Sequence, residues 1–400
     1  MFFILPYRID RAFKMPWATI GLIVLNTVVF SFSVTIGLEW TIAAFGFRMG
    51  PWAPLTWLSA SFLHADLLHL LGNMYFLWLF GSIVEDALGP WRLLAVYIVG
   101  GLVAAISHGV VMLAFVPGAA DIPMIGASGA LAAIMGLFAV RFYRTKIRVG
   151  YFVWFVAMIR YGTFAISSVA GVVLWFARDV VSGLIGIGLG AAGGVANWAH
   201  LGGVVFGAAI GLLSGQIRSA STEYLADDAH MYAATGTHEV AAAKYAELAE
   251  QDPQNPEWRR RKARELANAT TAAPDSASAE YGHAIRLYVQ GRRMPEALDT
   301  FIEADGRLGT LALDHPLLLA VAAEAERRSD WPTAERLYLH VADERGGTPA
   351  AEKAIFRLAH VYLGMGDRER AQSTWAQFGD LHPSSEWMAF ADPALRALQP

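Results

Sequence analysis

The sequence contains no cysteine, which excludes disulfide bonds, zinc–thiolate centres and thiol catalysis. Charged residues are also scarce, at 16% of the chain against about 25% in an ordinary soluble protein. Neither sign of charge dominates, because 31 Lys and Arg residues face 35 Asp and Glu residues. No basic patch is interleaved with aromatic residues. Composition therefore favours no nucleic-acid partner.

Apolar residues make up 55% of the chain and are unevenly distributed. Residues 1–217 contain long uncharged runs, whereas residues 218–400 have the mixed composition of a soluble protein. We therefore predict an all-α protein with two domains, a transmembrane domain at 1–217 and a soluble helical domain at 218–400. Apolar runs of about 20 residues predict six membrane helices. These helices are predicted at 17–38, 66–84, 93–116, 124–140, 163–183 and 196–216.

Basic residues are asymmetric between the two sets of connecting loops. They precede the first predicted helix, lie between the fourth and the fifth, and follow the sixth. The positive-inside rule then places both termini in the cytoplasm, and we predict a multi-pass protein of the bacterial inner membrane. The short apolar stretch Val149–Ile159 predicts a segment lying at the membrane interface. In this topology the second, fourth and sixth helices all run from the outer to the inner face.

A serine lies between glycines where the fourth helix is predicted to begin, as Gly126, Ser128 and Gly129. Glycine permits close backbone approach, and a helix N-terminus offers unpaired N–H groups. A nucleophile beside such N–H groups has the components of an oxyanion hole. Alternatively, the same small residues form a helix-packing motif, which is common in membranes.

A histidine begins the sixth predicted helix. His200 is followed by Gly203, Gly207 and Gly211, which recur every four residues and line one helix face. Such a face packs closely on a neighbouring helix, which would bring His200 within hydrogen-bond reach of Ser128. A serine hydroxyl needs such a base to become a good nucleophile. The alternative is a buried histidine bonded to a backbone carbonyl.

The second predicted helix carries His69 and Asn73, which share a face because they are four residues apart. Both side chains can donate hydrogen bonds to a developing oxyanion. His64 is interpreted as a loop residue that helps to set the start of this helix, and His108 as a buried or interhelical histidine. The predicted topology places His69, Asn73, Ser128 and His200 at one depth near the outer face.

Together these motifs resemble the rhomboid family of intramembrane serine proteases over residues 10–217. The resemblance rests on three sequence elements: His69 with Asn73, Gly126 with Ser128 and Gly129, and Ala199 with His200 and Gly203. Glu85, after Gly81, also matches the pattern of the family.

The resemblance implies that Ser128 is the nucleophile and His200 the general base. The oxyanion would be held by the Ser128 N–H, His69 and Asn73. It further implies a Ser–His dyad without a carboxylate, metal or cofactor, acting on transmembrane helices of membrane proteins among lipids. One departure is Ala132, where many relatives carry an aromatic that packs on the histidine; Trp198 and Phe138 are the candidates to replace it.

In residues 218–400, a turn followed by alanine recurs with Ala297, Ala334 and Ala371 spaced 37 residues apart. This period predicts stacked helical hairpins that resemble tetratricopeptide repeats and would bind a protein or peptide partner. The alternative is an irregular helical bundle. For the whole chain, the alternatives to a protease are an inactive rhomboid-like adaptor that binds client proteins and, ranked lowest, a transporter or channel.

Overall fold

The computed structural model describes most of the chain and divides it into two compact units, Met1–Ser221 and Thr222–Pro400. The described residues are 2–9, 14–48, 54–116, 122–155, 158–189, 196–270, 274–309, 311–343, 348–390 and 393–397. The predicted all-α class is confirmed, with a small sheet that was not predicted.

The first unit is a bundle of apolar helices. In chain order its helices are α1 (Trp17–Ile36), α2 (Leu38–Phe45), α3 (Pro54–Ser59), α4 (Leu67–Phe76), α5 (Ser82–Leu88), α6 (Pro90–Phe115), α7 (Ser128–Arg141), α8 (Ser168–Gly188) and α9 (Asn197–Leu213). A π-helical turn, Leu77–Gly81, joins α4 to α5, so that one apolar helix runs from Leu67 to Leu88.

Within the described residues, four helices are long and apolar enough to cross a membrane: α1, α4 with α5, α6 and α8. Helix α9 reaches that length only together with the helix that follows it, and α7 has 14 residues. The apolar outward surface of these helices makes the chain an integral membrane protein; Val24, Val28 and Phe32 of α1, for example, are more than half exposed. Six spans remain a prediction.

Helix α7 lies at the centre of the bundle. Most of its side chains are buried, including Ala133, Ile134 and Leu137, and it packs against α6, α8 and α9. Because neighbouring helices surround α7, they shield its backbone from lipid. The helix can therefore be shorter than a full membrane span. This central position brings the start of α7 next to the first turn of α9.

Three antiparallel strands form a sheet in the order β1-β2-β3, with β1 at Phe2–Ile9, β2 at Lys146–Phe155 and β3 at Met158–Ser167. Of the segment predicted to lie at the membrane interface, residues 149–155 lie in β2 and residues 158–159 in β3, and the two residues between them lie outside the described residues. The fifth predicted helix was placed too early, because residues 163–167 pair with β2. The helix begins at Ser168, where the Ser167 hydroxyl accepts a hydrogen bond from the Ala170 N–H at 3.2 Å.

Glu85 fixes α1 against α5. Its carboxylate is 6% exposed and accepts hydrogen bonds at 2.8 Å from the N–H of Ala18, the N–H of Thr19 and the Thr19 hydroxyl. The first N–H groups of a helix have no partner within that helix, and a carboxylate near the positive end of the helix dipole satisfies them. Glu85 therefore caps α1 from a distant part of the sequence.

The second unit is a succession of helices, each packed on the next. They are α10 (Gln216–Ala234), which starts in the first unit, α11 (His238–Gln251), α12 (Pro256–Asn268), α13 (Pro274–Gln290), α14 (Met294–Leu308), α15 (His315–Arg327), α16 (Trp331–Ala342), α17 (Pro349–Gly364), α18 (Arg368–Leu381) and α19 (Pro393–Arg396).

Four turns between paired helices share one geometry in the described part of the second unit. Gly236, Arg292, Ser329 and Gly366 have φ between 56° and 80°. In each turn, the residue that follows the positive-φ position donates its N–H to the carbonyl of the residue five positions before the donor, at 2.8–2.9 Å. Five residues after each positive φ comes a fully buried alanine, at Ala241, Ala297, Ala334 and Ala371. The resemblance to tetratricopeptide repeats stays a prediction.

Candidate active site

Small residues bring α7 and α9 into close contact. A Cβ added at Gly203 would overlap the Gly129 carbonyl, and one added at Gly207 would overlap the Ala133 carbonyl. Both obstacles are backbone atoms, so no change of rotamer would relieve them. The glycine face predicted for α9 thus packs directly on α7, and this contact places the first turns of the two helices side by side.

Ser128 is the first residue of α7. The first hydrogen bond of the helix joins the Leu131 N–H to the Ala127 carbonyl at 2.9 Å, so the Ser128 N–H has no partner within the helix. Gly126 precedes it with φ 118°, and its own N–H donates to the Ala60 carbonyl at 2.9 Å. A Cβ at Gly126 would lie 3.0 Å from the His69 ring. Glycine is required here for both its backbone conformation and this close approach.

Ser128 and His200 are in hydrogen-bond contact. The Ser128 Oγ lies 2.8 Å from the His200 Nε2, and both side chains are only partly exposed. This is the distance expected between a nucleophile and its general base. The two residues are 72 positions apart, and the α7–α9 contact brings them together.

Asp179 of α8 contacts the opposite nitrogen of His200. Its Oδ2 lies 2.7 Å from the His200 Nδ1, and the side chains of Asp179 and His200 are 6% and 12% exposed. Because an ionised carboxylate only accepts hydrogen bonds, Nδ1 carries the proton and Nε2 accepts the Ser128 hydroxyl proton. We predicted no carboxylate at this histidine. The sequence signal for Asp179 is its place near the end of the fifth predicted helix, 163–183, which runs toward the outer face in the predicted topology.

His69 and Asn73 lie beside Ser128 on α4. Asp66 caps this helix by accepting a hydrogen bond from the His69 N–H at 2.8 Å. The His69 Nδ1 accepts a long hydrogen bond of 3.5 Å from the Ala65 N–H, so its Nε2 carries the proton and lies next to Gly126. Asn73 is 7% exposed, and its Nδ2 makes no hydrogen bond within the described residues. Two side-chain donors therefore lie unused near the serine.

These side chains line a single cavity of about 930 Å³. Helices α4, α6, α7, α8 and α9 all contribute to its wall. Besides Ser128, His200, His69, Asn73 and Asp179, the wall includes His108, Phe76, Trp175 and Trp198. The rings of Phe76 and Trp175 are in contact, with centroids 4.8 Å apart, which joins α4 to α8 at the cavity. A cavity of this size can hold several residues of an extended peptide.

The two aromatic residues that are candidates to support the histidine, Phe138 and Trp198, have other packing partners. Phe138 packs in the core against Phe80 and Phe142. Trp198 packs beside Gly183 of α8, where an added Cβ would lie 3.1 Å from the indole ring. Ala132 is buried against Gly203. The imidazole is held by Asp179 instead.

His64 is fully buried and packs edge-on against the His69 ring, with centroids 5.2 Å apart. It is not among the residues that line the cavity with Ser128, and it lies just before α4 begins. Among the residues that the structure describes, no cluster of three His, Asp or Glu side chains could hold a metal ion.

The fold and the site define a polytopic membrane protein with a serine and a histidine hydrogen-bonded in a cavity between its helices. The rhomboid domain model matches residues 51–217. The matched range contains Ser128, His200, His69, Asn73 and Asp179, and this part of the chain is a rhomboid domain. The comparison with curated proteins found no match.

Proposed function

We propose that this chain is an intramembrane serine endopeptidase that cleaves transmembrane helices of other membrane proteins near the outer membrane face. The observation that carries the proposal is the 2.8 Å contact between the Ser128 Oγ and the His200 Nε2 in the cavity. Because the contact lies between apolar helices, the substrate that reaches it most directly is another membrane-embedded segment.

In the first step the Ser128 Oγ attacks the scissile carbonyl carbon. Its proton passes to the His200 Nε2, and a tetrahedral oxyanion forms. His200 then donates that proton to the leaving amine as the C–N bond breaks, which leaves an acyl ester on Ser128. In the second half, water attacks the ester, again with His200 as base and then acid. The serine is regenerated and the new carboxyl terminus leaves.

The oxyanion has three candidate donors in this proposal: the Ser128 N–H, the His69 Nε2–H and the Asn73 Nδ2. The geometry supports these roles. The Ser128 N–H lies before the first backbone hydrogen bond of α7 and has no partner within that helix. The Asn73 Nδ2 makes no hydrogen bond within the described residues. Preorganised donors in a site shielded from water stabilise the transition state most strongly. Removing one such donor costs about 10²–10³ in rate.

A transmembrane helix must unwind before it can react, because its carbonyls accept backbone hydrogen bonds. We infer that substrates carry small or helix-breaking residues near the cleaved bond, and that water enters from the outer face. The predicted topology supports this location, since it places the catalytic residues near the outer ends of their helices. The chain would then have both termini in the cytoplasm.

The alternative is an inactive rhomboid-like adaptor that binds clients, with the second unit recruiting a protein partner. Reaction with a fluorophosphonate separates the two functions, since only an activated serine is labelled. We expect the full-length protein in liposomes to be labelled at Ser128 and to cleave a model transmembrane substrate. Ser128→Ala and His200→Ala should abolish both activities, whereas Ser31→Ala, an exposed serine of α1, should abolish neither. Normal cleavage by Ser128→Ala would refute the proposal.

A further inference from the structure

Helix α8 is apolar along most of its length, yet its Asp179 is only 4% exposed. Burying an ionised carboxylate among membrane helices is costly unless a partner compensates for the lost hydration. The partner of Asp179 is the His200 Nδ1, at 2.7 Å. An apolar residue at this position would avoid the free-energy cost of burying a charge. The carboxylate at this position, in contact with the proposed general base, therefore points to a role in the reaction.

We propose that Asp179 is a positioning residue for the reaction of Ser128: it holds His200 in the Nδ1–H tautomer, aims Nε2 at the serine, and stabilises the imidazolium that forms when His200 takes the proton. This inference rests on the proposed protease function. It replaces the expected Ser–His dyad with a chain of three groups, Asp179, His200 and Ser128.

The tautomer follows from the two hydrogen bonds of the imidazole. A neutral imidazole carries one proton and one lone pair. A carboxylate at Nδ1 can only accept, so the proton must be on Nδ1 and the lone pair on Nε2, which is 2.8 Å from the Ser128 Oγ. Without the carboxylate, the ring could place its proton on Nε2 and would then be unable to act as a base toward Ser128.

Charge compensation is the second contribution. When Ser128 loses its proton, His200 becomes positive in a cavity whose wall is formed by apolar helices and includes two further histidines, His69 and His108. Electrostatic interactions are stronger in a medium of low dielectric constant. Asp179 is the carboxylate in contact with the ring, so its negative charge favours the imidazolium as it forms.

The surroundings fix Asp179 at the height of His200. Ala132 offers no ring to stack on the histidine, and Phe138 and Trp198 pack elsewhere. The close packing of Trp198 against Gly183 holds α8 against the first turn of α9, one turn beyond Asp179. The interaction that orients the histidine in this chain therefore comes from α8.

The test compares Asp179→Asn, Asp179→Glu and Asp179→Ala with the wild-type full-length protein in detergent. Asp86→Asn is the matched control, because Asp86 is an exposed carboxylate of the same unit. The rate of fluorophosphonate labelling at Ser128 should fall by about 10³–10⁴ in Asp179→Asn, by analogy with the loss of the triad carboxylate in serine proteases. Asp179→Glu should recover part of that loss, and Asp86→Asn should label at the wild-type rate. A loss below threefold in Asp179→Asn would overturn the inference.

A second measurement reports the tautomer directly and does not depend on cleavage. ¹⁵N NMR of histidine-labelled protein distinguishes Nδ1–H from Nε2–H, and His200→Gln identifies the His200 signals among the 11 histidines. We expect Nδ1–H in the wild type and a shift toward Nε2–H in Asp179→Asn. If the wild type is not labelled at all, the protease proposal fails, while the NMR result still decides whether Asp179 sets the tautomer. An unchanged tautomer in Asp179→Asn and Asp179→Ala would refute the positioning role.

Discussion

Gly207→Ala adds a single methyl group at the tightest point between α7 and α9. The new Cβ would overlap the Ala133 carbonyl oxygen and lie 2.6 Å from its carbon. Carbon atoms in favourable contact are about 3.5–4.0 Å apart, so the helices must separate by roughly 1 Å. An alanine methyl has no alternative rotamer, and the obstacle is backbone.

That separation has two measurable consequences. His200 lies two turns before Gly207 on the same helix, so its Nε2 moves away from the Ser128 Oγ and the 2.8 Å hydrogen bond is lost. A misplacement of about 1 Å lowers an enzymatic rate by about 100-fold. Overpacking a well-packed core also costs about 1–3 kcal/mol of stability.

The assay combines fluorophosphonate labelling of Ser128 with thermal unfolding of the full-length protein in detergent. The matched control is Gly21→Ala in α1, where an added Cβ meets nothing within 4 Å. Its labelling rate should not change and its unfolding temperature should not fall, because alanine is favoured over glycine inside a helix. If Gly207→Ala is labelled within threefold of the wild-type rate and unfolds at the same temperature, the reasoning about the α7–α9 contact is wrong.

Three further predictions follow from buried polar groups. Asn73→Ala should lower the labelling rate by about 10²–10³ without loss of thermal stability, because its Nδ2 makes no hydrogen bond to any described residue; a marked destabilisation would contradict this. Glu85→Ala removes three hydrogen bonds from the start of α1 and should cost about 2–4 kcal/mol in chemical unfolding, whereas an unchanged midpoint would exclude the capping role. In the second unit, burial alone would raise the pKa of Glu303, but bonds from Arg264 and Arg260 lower it from 4.5 to about 2. The resulting stability is present above pH 4.5 and is lost as the pH falls toward 2. The free energy of opening of α12–α14, measured by hydrogen exchange and corrected for the intrinsic exchange rates, should therefore vary less with pH in this range in Glu303→Gln than in the wild type, and an unaltered pH profile would argue against the prediction.

The proposed nucleophile, general base and oxyanion donors could be predicted from the sequence, because the predicted membrane topology places their motifs at the same depth. Each motif is weak by itself, since a Gly-Ser-Gly element or a row of glycines is equally compatible with plain helix packing. The alternation of helix direction adds the missing information, because it places the starts of the second, fourth and sixth helices at one membrane depth. The structure then brings Ser128 and His200 into contact and lines one cavity with them, His69 and Asn73.

The sequence motifs do not identify Asp179, because the polar residues that they place at one depth all lie at helix starts. The fifth predicted helix, 163–183, runs in the opposite direction, so the equivalent depth is reached toward its end, where Asp179 lies; α8 itself continues to Gly188. The sheet was missed for a different reason. Strand β1 pairs with β2, more than 130 residues away, and a pairing over that distance leaves no local signal beyond apolar and β-branched residues.

The sequence by itself determined the helical class, the presence of membrane helices and the residue types that the proposed chemistry needs, because apolar runs and spaced motifs are local properties of a chain. Only the tertiary structure decided which groups touch. The 2.8 Å and 2.7 Å contacts of His200 depend on how closely α7, α8 and α9 approach one another. That approach is set by the steric fit of glycine against backbone, and the apolar pattern of each helix does not encode which helix it will meet.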